Sequence, residues 1–474
     1  MLVRRRVLPA VLAMAALGCG VAAGVRETAA RADVAPLGGP QATTPVLSAR
    51  RVPTVLAAPI ARRRLRADLA TWSAGVGGSS CATVVTPDGD TALDLRGDLP
   101  VVPASTLKLL TATAALDVLG PDHRFRTTVV GPPPTGGIVA GDLALVGGGD
   151  PLLASPDYVA RYERQPQVHT DLDRLAAALV DAGVRRVEGS VVGDESRYDT
   201  ERAVAGWPAR YLDQKQIGPL SALSVNDGFA QYPTVGTWRE LVPAFDPAAD
   251  AAAVLTRLLE GRGVDVVGDP RSGRALDGAP ELAAVESEPL TEVVRELLQE
   301  SDNNTAELLV KELGQRAGTP TTAGGVAQVV AALEANGFDL AGVTLEDGSG
   351  LSPDDHVTCR LLLAVLSDPE TGPILAERLS VAGETGTLAK AFVGTSLEGH
   401  LHAKTGSLNA VAALTGRVVD DDGSISFAYV VNDPDGRVDE PAVVASQAAL
   451  GQILLSWPQV PSLEALRPLP LASP

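Results

Sequence analysis

Three short motifs, widely separated along the 474-residue chain, constrain the fold more than any other feature of the sequence. Ser105 and Lys108 open an apolar run that predicts a helix, and residues three apart on a helix share one face. Ser301-Asp302-Asn303 lies between two amphipathic segments, and Lys404-Thr405-Gly406-Ser407 is predicted at the start of a strand. If the motifs act together, the fold must bring distant parts of the chain to one place.

The residue types in these motifs indicate nucleophilic catalysis. A serine hydroxyl attacks poorly unless a base takes its proton. The Lys108 amine can serve as that base if burial or a second cation lowers its pKa, and Lys404 is a candidate for the second cation. A lone Ser-x-x-Lys is common in helices, but the three motifs in this order are typical of class A β-lactamases and penicillin-binding proteins.

The chain resembles the class C low-molecular-mass penicillin-binding proteins, the D-alanyl-D-alanine carboxypeptidase/endopeptidase family. The resemblance covers roughly residues 45–456. The long gap between the serine motif and Ser301 fits this family, in which an insertion follows the serine helix, and does not fit a class A β-lactamase. The segments that carry the resemblance are Pro103–Thr111, Gly149–Pro151, Ser221–Leu223 with Asn226, Ser301–Asn303 with Ala306 and Glu307, Gly348–Ser352, and Lys404–Gly406.

The resemblance implies an α+β fold of the serine β-lactamase/transpeptidase type, an antiparallel sheet flanked by helices. We expect the catalytic domain to be discontinuous, over residues 61–124 and 285–456, with an inserted accessory α/β domain at 125–284. Residues 33–60 are predicted to be a linker and residues 457–474 an irregular tail.

The N-terminal residues 1–32 are typical of an export signal. Arg4-Arg5-Arg6 precedes an uncharged apolar stretch, and Ala30-Arg-Ala32 is a suitable cleavage site. The alternative is an uncleaved membrane anchor, because the apolar stretch approaches spanning length. Either way, we expect the protein to act outside the cytoplasm.

The resemblance also implies a role for each motif residue. Ser105 would attack the carbonyl between two terminal D-alanines, Lys108 would take its proton, and Ser301 would relay the proton to the leaving amine. Asn303 would hold Lys108 and the substrate amide. Lys404 is the fifth predicted catalytic residue, after Ser105, Lys108, Ser301 and Asn303. It would bind the terminal carboxylate.

Further substrate contacts are expected around these groups. Thr405 and Ser407 would help bind the carboxylate, and Gly406 would leave room for substrate along the strand edge. The backbone N–H groups of Ser105 and Ser407 would form the oxyanion hole. In the family a diaminopimelate side chain of the substrate contacts an Asp and an aromatic residue, which points to Asp194 and Tyr198. An Arg that commonly helps to hold this side chain is replaced here by Pro353. Leu351 is a further predicted substrate contact.

Other chemistries receive little support from the sequence. A net charge of −19 argues against nucleic-acid binding. No histidine lies in a triad motif, and His400 with His402 lacks further ligands for zinc, so we expect neither a metal nor another cofactor. Gly383–Thr387 imitates the lysine motif but carries Glu, and we interpret it as a structural turn. Cys81 and Cys359 form a disulfide or remain two buried thiols.

The sequence and this resemblance therefore predict a penicillin-sensitive serine D,D-peptidase that cleaves the terminal D-Ala-D-Ala bond through an acyl-enzyme. Cleavage of D,D cross-links is a second activity that the family allows. Its partners would be peptidoglycan stem peptides and, as covalent inhibitors, β-lactams. One alternative is a serine β-lactamase, for which no deacylating glutamate can be assigned. Another is a non-catalytic cell-wall-binding protein, against which the complete set of motif residues argues.

Overall fold

The structure is a computed structural model that describes residues 53–162, 167–233, 240–420, 423–433 and 435–458. The predicted signal peptide, most of the predicted linker and nearly all of the tail lie outside these residues. The helices of the described part are α1 Pro53–Ser73, α2 Lys108–Leu119, α3 Pro156–Val159, α4 Leu172–Asp181, α5 Ala209–Asp213, α6 Pro247–Gly261, α7 Leu290–Gln299, α8 Asn303–Arg316, α9 Thr322–Ala335, α10 Cys359–Leu366, α11 Gly372–Glu377 and α12 Glu440–Leu455.

The strands of the described residues are mostly short, with three long ones near the C-terminus. They are β1 Cys81–Val85, β2 Thr91–Leu95, β3 Arg126–Val130, β4 Ile138–Val139, β5 Leu143–Val146, β6 Leu153–Ala154, β7 Thr170–Asp171, β8 Arg186–Val187, β9 Val191–Asp194, β10 Phe229–Gln231, β11 Val242–Pro243, β12 Asp265–Val266, β13 Arg271–Ser272, β14 Glu281–Glu286, β15 Ser380–Val381, β16 Leu401–Leu408, β17 Val411–Asp420 and β18 Gly423–Asn432.

A six-stranded antiparallel sheet is the base of the fold. Its strand order is β15-β16-β17-β18-β1-β2, so the N-terminal hairpin joins the C-terminal meander through the β1–β18 pair. The register pairs Lys404 of β16 with Thr415 of β17, and Cys81 of β1 with Val430 of β18. An early strand and a late strand of the described residues are therefore joined in one sheet, and the intervening segments leave and return to it.

Helix α2 is the centre of the helical layer. Its first nine residues, Lys108–Leu116, are all buried, and helices α7–α11 pack around it. A helix that is apolar on every side is stable only when it is enclosed in this way. A disulfide between Cys81 and Cys359 joins β1 to α10, which decides between the two alternatives that the sequence left open.

A second hydrophobic core is built from residues 129–285. Its five-stranded sheet has the order β13-β9-β5-β3-β14, with parallel pairs among β13, β9 and β5 and antiparallel pairs at β3 and β14. Helices α4 and α6 contribute their apolar faces to this core. Residues 57–461 nevertheless form one compact unit, and the proposed domain boundaries stay a prediction.

Two local expectations differ from the structure. Helix α1 begins at Pro53, inside the segment predicted as a linker; a proline suits the first position of a helix, where its missing N–H is not needed. The lysine motif lies in the second half of β16 rather than at a strand start, because β16 already pairs with β17 from Leu401 onward. Among the described residues, no helix combines the length and apolarity needed to cross a bilayer.

Candidate active site

Ser105 is held by an unusual turn at the start of the serine helix. The turn is a 3-10 helix, Ala104–Leu107, that runs directly into α2. Ala104 has φ 47°, in the left-handed region that residues with a Cβ seldom adopt. Gly350 packs so closely that a Cβ there would lie 2.0 Å from the Ala104 carbonyl oxygen. Such strained backbone persists only where the surroundings enforce it, and it often marks a functional site.

The Lys108 amine reaches the Ser105 hydroxyl, as the spacing predicts. Its Nζ donates to Ser105 Oγ at 2.9 Å, to Asn303 Oδ1 at 2.7 Å and to the Ser349 carbonyl oxygen at 2.8 Å. The side chain is fully buried, and this burial lowers the pKa of Lys108 to about 8, although nearby carboxylates such as Asp347 oppose the shift. About one Lys108 in ten is therefore a neutral base at pH 7, far more than for an ordinary lysine.

Lys404 and Ser301 form a second amine–hydroxyl pair. Lys404 Nζ donates to Ser301 Oγ at 2.8 Å and to the Thr405 carbonyl oxygen at 2.9 Å. Burial, and then the positive charge of Lys108, lower the pKa of Lys404 well below its usual value. Ser301 has φ 61°, so the backbone bends sharply between α7 and α8 and turns this serine toward the lysine.

Asn303 joins the first and second motifs. It is the first residue of α8, and Asp302 caps the helix by accepting a hydrogen bond from the Thr305 N–H at 3.2 Å. The Asn303 amide accepts from Lys108 through Oδ1 and donates through Nδ2 to the Gln216 carbonyl oxygen at 2.7 Å. Because both ends of the amide are engaged, its orientation is fixed.

The substrate-side residues lie along an open groove of about 1290 Å³. Both serines line it, and so do all the predicted contacts of the third motif and the glycine-rich segment; the predicted positions among its lining residues are Ser105, Ser301, Asn303, Leu351, Thr405, Gly406 and Ser407. The Lys108 and Lys404 side chains are buried and reach the hydroxyls Ser105 Oγ and Ser301 Oγ by hydrogen bonds. The three motifs thus meet in one place.

Gly406 is required for a different reason from the one we predicted. A Cβ on Gly406 would lie 2.8 Å from the Pro103 carbonyl oxygen and 3.2 Å from both the Ser105 nitrogen and the Ala413 Cβ. The contact that excludes a side chain is therefore with the serine turn itself. Glycine at this position lets β16 lie directly against the nucleophile.

The segment Gly348–Ser352 is held by two buried carboxylates that the sequence analysis gave no role. Asp347 accepts hydrogen bonds from the backbone N–H groups of residues 349, 350 and 352 at 2.6–3.0 Å. The indole N–H of Trp207 also donates to Asp347, at 2.7 Å. Glu307 accepts from the N–H groups of residues 348 and 349 at 3.0 and 2.8 Å. These bonds fix the Ser349 carbonyl that contacts Lys108.

Asp194 and Tyr198 are not brought to the groove with the other predicted residues. The Asp194 carboxylate accepts from the N–H groups of Ser196, at 2.9 Å, and Ala275, at 2.7 Å. The Tyr198 hydroxyl donates to the buried carboxylate of Glu312 at 2.9 Å. Both side chains are buried and engaged within the protein, so we no longer assign them a substrate contact.

The segment Gly383–Thr387, which we interpreted as a structural turn, contributes to the groove. Thr387 lines it, and the Thr387 hydroxyl lies 2.9 Å from the Thr405 hydroxyl. The glutamate in the position of the motif lysine led us to disregard this segment. Gln216, Trp207 and Asp347 were missed because no local pattern marks them, and Glu307 was named as part of the resemblance without a role.

Comparisons with known proteins agree with this geometry. The sequence profile of the D-Ala-D-Ala carboxypeptidase 3 (S13) family matches residues 68–237 and 234–454. The chain is 32% identical to the D-alanyl-D-alanine carboxypeptidase of Actinomadura sp. (strain R39) over 456 residues, 80% of this chain and 81% of the relative. It is 32% identical to Carboxypeptidase DacB of Mycolicibacterium smegmatis over 422 residues, 84% of this chain and 87% of the relative.

A comparison with solved structures tests the predicted fold. The crystal structure of penicillin binding protein 4 from Haemophilus influenzae matches with a TM-score of 0.66 at 21% identity, over 81% of this chain and 99% of that one. This likeness confirms the transpeptidase-like α+β fold. The profile match and the 32% identical relatives place the protein in the D-Ala-D-Ala carboxypeptidase 3 (S13) family, as the resemblance to class C penicillin-binding proteins predicted.

Proposed function

We propose that the protein is a penicillin-sensitive serine carboxypeptidase that removes the terminal D-alanine from peptidoglycan stem peptides outside the cytoplasm. The observation that carries this proposal is the 2.9 Å contact between Lys108 Nζ and Ser105 Oγ, made by a lysine that is fully buried. This pair supplies the base that a serine nucleophile needs. Family membership and the similarity to the Actinomadura D-alanyl-D-alanine carboxypeptidase support the proposal.

The first half of the reaction forms the acyl-enzyme. Neutral Lys108 takes the proton of Ser105, whose oxygen bonds to the carbonyl carbon between the two D-alanines. The carbon–nitrogen bond then breaks, and the proton passes through Ser301 to the departing amine. The substrate's terminal carboxylate favours the charged form of Lys404, and the charge on Lys404 in turn favours neutral Lys108.

The second half of the reaction releases the shortened peptide. Water gives a proton to the base and attacks the ester, and the Ser105 oxygen leaves with a proton as the acid product departs. In both halves, the N–H groups of Ser105 and Ser407 would stabilise the negative charge on the carbonyl oxygen. One such donor contributes about 3 kcal/mol in comparable sites.

The same chemistry extends to two related ligands. A D,D cross-link has the same type of peptide bond, with the leaving amine on a second stem peptide, so the groove would also support endopeptidase action. A β-lactam presents a strained amide that acylates Ser105 and whose leaving group stays attached. A β-lactam complex of Haemophilus influenzae penicillin binding protein 4, which matches this chain with a TM-score of 0.62, supports this interpretation.

Mass spectrometry after penicillin treatment tests the proposal. We expect one adduct, on the peptide that contains Ser105, and release of D-alanine from a peptide ending in D-Ala-D-Ala. Ser105→Ala should abolish both, whereas Ser73→Ala, at the end of α1, should change neither. Many turnovers of nitrocefin would instead indicate a β-lactamase, and absence of any adduct would indicate a non-catalytic wall-binding protein.

A further inference from the structure

Thr387 places a second hydroxyl beside the proposed carboxylate-binding residue Thr405. The two Oγ atoms are 2.9 Å apart, and either hydroxyl can donate to the other. Both side chains line the groove that also contains Ser105 and Ser301. The mechanism described above does not use Thr387.

The turn that carries Thr387 is fixed by the protein itself. The turn is a 3-10 helix, Gly386–Leu388, in which Gly386 has φ 56°. A Cβ on Gly386 would lie 2.3 Å from Ser380 Oγ and 2.5 Å from the Gln299 carbonyl oxygen, so the turn packs directly against β15 and the end of α7. The Thr385 hydroxyl accepts a hydrogen bond from the Val381 N–H at 2.9 Å. The Thr387 hydroxyl is therefore held in place before any ligand binds.

The turn lies where the edge of β16 becomes available to a ligand. Strand β15 pairs with β16 only at Ser380–Ala403 and Val381–His402. From Lys404 onward this edge is not paired with β15. Lys404 is buried, so Thr405 is the first partly exposed residue of the unpaired edge, and Thr387 lies beside it. A substrate that lies along this edge would bring its terminal carboxylate to the two hydroxyls, with the buried Lys404 amine close to the same residues.

We propose that Thr387 and Thr405 together form the subsite for the substrate's terminal carboxylate, one hydroxyl for each oxygen. A carboxylate has two acceptor oxygens and no donor, so it favours a site that offers two donors at fixed positions. In the unliganded groove one hydroxyl donates to the other; on binding, both turn toward the anion. This inference rests on the proposed function and adds to it a specificity residue that selects an anionic chain end.

The test compares a ligand with and without the negative charge. Benzylpenicillin and its methyl ester differ by that charge and by one methyl group, and acylation of Ser105 by each is followed by mass spectrometry. Thr387→Val keeps the shape and removes the hydroxyl. We expect the acylation rate with the acid to fall by about ten- to a hundredfold, the loss typical of a hydrogen bond to a charged group, and the rate with the ester to change less than about twofold. Thr387→Ser should restore the preference for the acid.

Thr385→Val is the matched control, because its hydroxyl bonds the Val381 N–H within the same turn and Thr385 is not among the residues lining the groove. We expect this variant to lower thermal stability and to keep the acid-over-ester preference. A Thr387→Val protein that keeps this preference, or that loses reactivity toward acid and ester equally, would overturn the subsite.

Ligand binding without chemistry separates this inference from the proposed function. In the Ser105→Ala background, calorimetry measures the affinity for a peptide ending in D-Ala-D-Ala and for its C-terminal amide. Adding Thr387→Val should weaken binding of the acid peptide about tenfold and leave the affinity for the amide peptide unchanged. Equal weakening of both peptides contradicts the subsite, even if the wild-type protein forms its penicillin adduct normally.

Discussion

The pH dependence of acylation follows directly from the burial of Lys108. Its pKa is lowered to about 8, and the mechanism needs the neutral amine. At pH 7 about one Lys108 in ten is then neutral, whereas an ordinary lysine, with a pKa of 10.5, would be neutral in only roughly one molecule in three thousand. Burial therefore raises the concentration of active base by about 300-fold at this pH.

The expected profile rises about tenfold per pH unit below pH 8 and levels off above it, because the base becomes available as it loses its proton. Stopped-flow measurement of fluorescent-penicillin acylation between pH 6 and 10 gives this profile. Lys108→Arg, whose side chain stays charged throughout, should not react at any pH. Lys390→Arg, on the exposed surface, should reproduce the wild-type curve. A profile that is flat from pH 6 to 8, or that still rises above pH 9.5, would refute the role of Lys108.

Three further predictions concern the support of the site. Trp207→Phe removes the donor to Asp347 and should slow acylation about five- to tenfold by loosening the segment that holds Lys108, as measured in the same stopped-flow assay. Replacing Cys81 and Cys359 by alanine opens a loop of 278 residues and should lower the free energy of unfolding by up to roughly 5 kcal/mol, as measured in guanidinium melts. Burial raises the pKa of Glu307 from 4.5 to about 8, so stability falls as pH rises from 4.5 to about 8 and then levels off; Glu307→Gln should flatten the fall in Tm between pH 5 and 8.

The Trp207 prediction has a matched control variant. Trp72→Phe removes an indole bond to the Ser446 carbonyl oxygen; neither residue is among those lining the groove, so the variant should leave acylation unchanged. Equal slowing in both tryptophan variants would show that Trp207 has no particular role. A cysteine variant as stable as wild type, or parallel Tm curves for wild type and the Glu307 variant, would contradict the other two.

The parts of the site that follow local rules could be predicted from the sequence. The Ser105–Lys108 contact follows from helical spacing. The amphipathic segment before Ser301 is a helix as predicted, α7 Leu290–Gln299, because Leu290, Val293, Val294, Leu297 and Leu298 repeat with the period of a helix and are buried in the structure. The order of the motifs, together with the long gap between the first two, was sufficient to identify the family.

The groups that support these residues could not be predicted, because nothing local marks them. Trp207 and Asp347 are 140 residues apart, and Gln216 meets Asn303 through a backbone oxygen, which every residue possesses. Thr387 was disregarded because its segment resembles a motif but lacks the lysine. These contacts depend on how the elements pack, which spacing within one segment does not reveal.

The residues between the first two motifs do more than separate them. The Gln216 carbonyl fixes the Asn303 amide, and Trp207 holds Asp347, whose carboxylate orders the loop that carries the Ser349 carbonyl. Asn303 in turn accepts a hydrogen bond from Lys108 through its Oδ1, and the Ser349 carbonyl accepts another. The intervening segment thus belongs to the catalytic apparatus in a physical sense: it orients two of the three groups that accept hydrogen bonds from Lys108.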